Sequence, residues 1–218
     1  MQITWCGHSC FKIQTKTNSG EVIVVTDPFG KDMGFKIPKT VADIVTVSHN
    51  HYDHNKIEEV GGEPFAINGP GEYEVKGVFV YGVASFHDNQ EGKERGGNTI
   101  YIIKLLDEDI TIAHLGDLGH VLSNKELEHL EKIDILLIPV GGKYTISPKE
   151  AVEVANQIDP RIIIPMHYKI VGLKIDDLDG VDVFIKEAGI KVENASKLKI
   201  FKKDLPQDET KVIVLDRV

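Results

Sequence analysis

Hydrophobic and polar positions along the chain change period several times, and the changes mark out a single α/β domain spanning residues 1–218. Gln2 to Cys6, Cys10 to Thr15 and Glu21 to Val25 carry the β-branched and apolar residues of strands, with Asn18-Ser19-Gly20 as a turn. The apolar run Ala42 to Val47 leads into a polar, histidine-rich segment, and Asn55 to Val60 is placed as a helix. Gly30 to Thr40 is a loop rich in Gly, Lys and Pro that could be a flap or a surface excursion. Further strands are expected at Phe65 to Asn68, Glu72 to Val75 and Val78 to Phe86, and a hairpin from Asn98 to Ala113 about Asp107-Glu108. The pattern then alternates between helix and strand. Ser123 to Glu131 and Ser147 to Ile158 each open on a capping box, Ser followed three residues later by Glu. Pro148 also suits the first helical position of the second. Asp134 to Val140 and Arg161 to Met166 read as buried strands, Val181 to Ala188 as a helix, and Leu198 to Phe201 and Lys211 to Leu215 as the last strands.

The chemistry concentrates in Ser48-His49-Asn50-His51-Tyr52-Asp53-His54, where three imidazoles and a carboxylate fall within a short stretch of chain. In an extended segment alternate side chains share a face, so His49 and His51 can hold one metal ion together. Asp53 and His54 lie where the chain turns and would face a second. More ligands are then expected at the ends of later strands. Val78 to Phe86 ends in His87, Asp109 to Ala113 leads into His114-Leu115-Gly116-Asp117, and Arg161 to Met166 ends in His167-Tyr168. Ligand sites in α/β proteins commonly form beyond the carboxyl ends of strands.

With Gly7-His8-Ser9, Thr26-Asp27-Pro28, the H-x-H-x-D-H run, His87, Gly116-Asp117 and Pro165-Met166-His167-Tyr168 in this order, the chain resembles the metallo-β-lactamase superfamily. It looks most like the compact members grouped with ascorbate-6-phosphate lactonase-like proteins. The resemblance implies a four-layer αββα sandwich. It also implies two divalent metal ions, Zn2+ first and Mn2+ or Fe as alternatives. His49, His51 and His87 would bind the first ion, Asp53, His54 and His167 the second, and Asp117 both. Asp27 matches an early Asp of the family that supports a ligating histidine rather than ligating itself. Two ions about 3.5–4 Å apart would share a hydroxide poised near neutral pH to attack a carbonyl or phosphorus centre, with Asp53 and Asp117 in catalytic roles. His8 and His120 are candidate proton donors and His114 a supporting residue. Tyr144 and Tyr168 are candidate substrate contacts, and the loop Glu94 to Asn98 is a pocket wall. Lys93, Arg95 and Lys143 are cations that could meet an anionic group.

Charge and cysteine content narrow the choice. The net charge is −9 over 218 residues, which argues against broad nucleic-acid binding and leaves room for an anionic small molecule on the metals. Cys6 and Cys10 are too few for a disulfide framework and suit a reducing cytoplasm. No signal peptide or membrane-length apolar run occurs. The expected function is a dinuclear hydrolase cleaving a lactone, ester or phosphodiester of a small metabolite. The alternatives are a metal-dependent nuclease acting on RNA, and a non-hydrolytic iron oxidoreductase or metal-binding module.

Overall fold

The computed structural model describes residues 1–218. The chain runs β1 (Gln2–Gly7), β2 (Cys10–Thr17), β3 (Gly20–Thr26), β4 (Ile44–Thr46), β5 (Phe65–Ile67), β6 (Gly71–Val75), β7 (Val78–Phe86), β8 (Gly97–Leu105) and β9 (Ile110–His114). There follow α1 (Asn124–Leu127), β10 (Ile135–Pro139), α2 (Pro148–Ile158), β11 (Ile162–Met166), α3 (Val181–Ala188), β12 (Val192–Ala195), β13 (Leu198–Lys199) and β14 (Lys211–Leu215). Two sheets result, one in the order β13-β1-β2-β3-β4-β5 and one in the order β12-β14-β11-β10-β9-β8-β7-β6.

Side-chain alternation explains why the sheets stack. On the first sheet Ile3, Trp5, Phe11, Ile13, Val22, Val24 and Ile44 point inward and join the main core with Val78, Val80, Ile100 and Ile102 of the second. Residues of opposite parity, among them Val25 and Val45, form a smaller core on the outer face with Cys6, Cys10, Phe29 and Met33. The parallel strands of the second sheet are buried on both faces, and every residue of Ile135–Pro139 and Ile162–Met166 is inaccessible to solvent. One face is covered by α2, which buries Ala151, Val154, Ala155 and Ile158 at helical spacing. Its capping box forms as expected, the Ser147 N–H donating to Glu150 Oε2 at 2.8 Å.

The sandwich expectation holds, with one difference on its outer side. The first sheet is covered there by no α-helix but by loops and short 3-10 turns that bring in Phe35, Ile37, Leu173 and Ile175. Gly30 to Thr40 is part of this cover. Asn55 to Val60 contains only a 3-10 turn at Ile57–Glu59, its Glu59 and Val60 amides bonding three residues back to the Lys56 and Ile57 carbonyls at 3.0 Å. The helix begun at Ser123 stops after one turn. Its next amides, those of His129 and Leu130, bond three residues back rather than four, which lets Leu130 and Ile133 enter the core ahead of β10. The short strand β12 was not expected; its exposed Glu193 and Asn194 hide the alternation. Both cysteines are buried free thiols. No helix is long and apolar enough to cross a membrane.

The topology concentrates strand ends at one edge. β3 and β4 are parallel neighbours in one sheet, and β9, β10 and β11 are parallel neighbours in the other. Their carboxyl ends deliver Asp27, Ser48, Gly116-Asp117 and His167 to a common rim, and β7 adds His87.

Candidate metal centre

At that rim one carboxylate oxygen organises the geometry. Asp117 Oδ2 lies 3.1 Å from His167 Nε2, 3.2 Å from His54 Nε2, 3.4 Å from His87 Nε2 and 3.9 Å from His49 Nε2. His51 Nδ1 stands 3.0 Å from His49 Nε2, which joins His49, His51 and His87 into one group of donors. Asp53 Oδ2 is 3.7 Å from His54 Nε2, and Asp53, His54 and His167 form the other group. Ligands at about 2.0–2.1 Å from a tetrahedral ion stand about 3.3–3.4 Å apart. The observed spacings bracket that value, so each group fits a divalent ion. A further sign comes from the Asp117 carboxylate, whose Oδ1 is buried without a hydrogen-bond partner, a costly state unless a cation draws on the group.

Local backbone choices hold the donors in place. The Gly116 backbone is left-handed, and a Cβ there would come within 2.3 Å of Asn98 Oδ1 and 2.5 Å of Ser48 Cβ. Glycine therefore lets the Asp117 loop press against the H-x-H-x-D-H segment. Asn98 clamps the same loop, accepting from the Asp117 N–H at 3.0 Å and donating to the Leu115 carbonyl at 2.9 Å. His167 itself has a left-handed backbone, with φ of 51°, a conformation unusual for a side chain of this size.

Behind the donors sits Asp27, fully buried. Its Oδ1 accepts from the Ser48 N–H at 2.7 Å, and its Oδ2 accepts from the Ser48 hydroxyl at 2.5 Å and from His54 Nδ1 at 2.8 Å. With its proton committed to Asp27, the Ser48 hydroxyl can only accept from His49 Nδ1, 3.0 Å away. Asp27 and Ser48 thus place the protons of His49 and His54 on Nδ1, leaving both Nε2 lone pairs aimed at the donor groups. Asp27 and Ser48 therefore both stand behind the donor groups, hydrogen-bonded to His54 and His49.

Electrostatics follow from the crowding. Burial, then the charge of His54, push the His49 imidazole down to about 3. Burial opposes ionisation of Asp117, but the adjoining His167 and His54 hold it well below the usual carboxylate range. Burial likewise disfavours the charged form of His54, yet Asp117 and Asp27 raise it well above the ordinary imidazole value. Ionised carboxylates and mostly neutral imidazoles are the state that takes up a divalent cation, which displaces the remaining proton from His54.

A profile of the β-lactamase superfamily domain matches residues 2–167. The chain belongs to the metallo-β-lactamase superfamily. A crystal structure of a candidate zinc-dependent hydrolase of this superfamily from Thermotoga maritima is 40% identical, with a TM-score of 0.80 and coverage of 98% of both chains. A metal-dependent hydrolase of Pyrococcus horikoshii is 30% identical over 77% of this chain and 84% of its own length. Another, from Methanopyrus kandleri, is 28% identical over 88% of this chain and 95% of its own. This superfamily member is a metal-dependent hydrolase, and its His/Asp groups are the candidate metal site.

The donors open into a cleft of about 480 Å³ walled by Tyr52, Arg95, Tyr144, Lys174, Ile175 and Asp176. Tyr144 and Arg95 both line this cleft, the guanidinium 5.0 Å above the Tyr144 ring. Two other expectations are corrected, those for Tyr168 and His120. Tyr168 is buried and stacks on Trp5 with ring centroids 5.0 Å apart, so it meets no substrate. His114 is buried behind the site, its two nitrogens satisfied by the Ser9 carbonyl at 2.8 Å and the Gly116 N–H at 3.2 Å. His120 lies beside a separate cleft of about 630 Å³ that also includes His129. Its Nδ1 meets the Val121 carbonyl at 3.0 Å and its Nε2 accepts from the Phe86 N–H at 3.3 Å, so no proton faces the donors. His120→Ala and His129→Ala are accordingly expected to keep metal content and hydrolysis unchanged, as measured by elemental analysis and turnover. A large loss in either would assign the second cleft to the reaction.

Lys174 and Asp88 escaped sequence reasoning. Asp88 accepts from the amides of Gln90, Gly92, Glu94 and Arg95 at 2.7–3.0 Å. Burial works against its charge, but these amides prevail and hold it at about 2. The loop it gathers carries Arg95 to the cleft. An Asp directly after a strand-end His, followed by Gly92, Gly96 and Gly97, was the available signal.

Proposed function

We propose that this hydrolase is dinuclear, holding two divalent ions, most plausibly zinc, and cleaving a lactone, ester or phosphodiester bond in a small anionic metabolite. The observation that carries the reading is the single oxygen Asp117 Oδ2 facing imidazole nitrogens of both donor groups within 3.1–3.9 Å. His49, His51 and His87 would hold one ion, Asp53, His54 and His167 the other, and Asp117 both. Bound, the ions acidify water toward neutrality and draw charge from the bond being cleaved. The chain's own residues do the rest. Ser48 and Asp27 keep two imidazoles in the ligating tautomer. Asp53, at the cleft wall, is held ionised by His8 and His54 against the effect of burial, so it can serve as a charged ligand or accept a hydrogen bond.

The cleft supports the anionic substrate. Arg95 and Lys174 are cations on its walls, and Arg95 is braced against Tyr144, an arrangement that suits a carboxylate or phosphate. Arg95→Ala is expected to raise KM for an anionic substrate about tenfold, a loss of roughly 1.4 kcal/mol of binding, with kcat little changed. A fall in kcat at constant KM would move Arg95 from binding to chemistry.

The test of the whole reading is hydrolysis of a simple lactone beside a generic phosphodiester, with metal content quantified in the same preparation. Two ions per chain and chelator-sensitive turnover are expected. Full turnover with one ion, or after chelation, would overturn the dinuclear assignment.

A further inference from the structure

We infer that His8 is a fourth histidine-or-carboxylate ligand of the second ion, beside Asp53, His54 and His167 and in addition to Asp117. This rests on the two-ion reading above. The observations concern where the His8 nitrogens point. His8 is fully buried, and its Nε2 lies 3.1 Å from His54 Nε2 and 3.3 Å from Asp53 Oδ2. These three atoms and a ring nitrogen of His167 all lie within 4.8 Å of one another, and the His8 and His167 ring centroids are 4.2 Å apart. These are the spacings that ligands of a common ion adopt.

The other His8 nitrogen would take no part in ligation, and its state matches that of two proposed ligands. Its Nδ1 is buried without a partner, as are the Nδ1 atoms of His87 and His167, two of the ligands proposed above. His114 shows the contrast, since a histidine buried for structure alone has both nitrogens satisfied by the backbone. A packing role would not need an imidazole at position 8, because an apolar side chain would fill the space without the cost of unpaired polar atoms. The backbone carries a further cost. His8 has φ of 54°, and the residue before it is a glycine at which a Cβ would come within 2.6 Å of Phe35 and 2.8 Å of Arg217. Such strain persists where the surroundings require the geometry, and sites of function are where it collects. The Gly7-His8-Ser9 turn between β1 and β2 is thus shaped to deliver one ring to the second donor group.

The consequence is asymmetry. The second ion would have five protein donors and the first four, so the second should be the more firmly held and the more tolerant of ions that prefer five or six ligands, such as Mn2+.

The experiment is nuclear magnetic resonance of the full chain, labelled with 15N-histidine and loaded with 113Cd2+. Each liganded imidazole nitrogen shows a cadmium coupling. Six of the nine histidines are expected to do so, His8 Nε2 among them. His8→Asn removes that signal and assigns it, and Asn is chosen because it accepts a left-handed backbone. The same variant should release one ion at least about tenfold more readily to a competing chelator. Should the variant fail to fold, sequential assignment of the wild type identifies the His8 resonance. An uncoupled His8 nitrogen overturns the inference however many ions are bound. A coupled His8 in a protein that holds only one ion would instead sustain it and overturn the two-ion reading.

Discussion

Asp117→Ala is expected to leave the protein with at most one divalent ion and no measurable hydrolysis. The reasoning is geometric. Asp117 Oδ2 is the one carboxylate oxygen within 3.9 Å of nitrogens from both donor groups, so its removal takes a ligand from each. It also removes the buried negative charge that offsets an incoming cation among His49, His54, His87 and His167. Loss of an outer hydrogen-bond partner costs metal affinity about 10–100-fold, and loss of a shared charged ligand should exceed that. Asp117→Asn separates shape from charge. It keeps the volume but carries no charge, and its NH2 cannot ligate, so it too should lose the second ion and turnover, while circular dichroism reports an intact fold. Elemental analysis and assays on lactone and phosphodiester substrates check both variants. Two bound ions with full activity in Asp117→Ala would sink the assignment of Asp117 as the shared ligand.

The centre was legible in the sequence to the extent that it is built from local chain geometry. His49, His51, Asp53 and His54 announce themselves by spacing, and His87, Asp117 and His167 by standing at the ends of apolar strands. The hydrophobic pattern located those ends because the buried parallel strands β10 and β11 leave little ambiguity. Where the reading failed, it relied on adjacency in the chain. Tyr168 follows His167 directly, but the left-handed turn at His167 sends it to Trp5 instead of the cleft. His120 is three residues from Asp117, yet the close approach of Gly119 to His87 and Asp88 carries it past the site to another cleft. Lys174 reaches the cleft from a loop tied down by its own N–H, which donates to the Met33 carbonyl at 3.0 Å, and no periodicity encodes that. His8 was noticed, but the direction of its ring depends on the irregular pairing between Trp5 and Gly7, which a sequence does not display.

Asp27 provides the second large expected effect, and two substitutions separate its roles. In Asp27→Ala three buried donors lose their acceptor together, namely the Ser48 N–H, the Ser48 hydroxyl and His54 Nδ1–H. Each unsatisfied buried donor costs about 1–3 kcal/mol, and partial relaxation leaves an expected loss on the order of 3–5 kcal/mol, a large share of the stability of a domain of this size. Thermal or urea unfolding of the metal-free protein measures it. Asp27→Asn keeps the volume and one acceptor oxygen, which can still take the Ser48 N–H, so the fold should survive with a smaller loss. Its amide nitrogen, however, is a donor placed where two donors already point. His54 can relieve that conflict by moving its proton to Nε2, which removes the lone pair from the second donor group. The Ser48 hydroxyl, freed from Asp27, no longer requires the Nδ1 proton of His49, and the first group loses its fixed tautomer as well. Asp27→Asn should therefore fold yet bind both ions about 10–100-fold more weakly, with hydrolysis lost at metal concentrations that saturate the wild type and partly restored by excess metal. Equal loading of Asp27→Asn and wild type under a competing chelator would show that Asp27 supports the fold alone, and that the tautomers of His49 and His54 are set by the ions themselves.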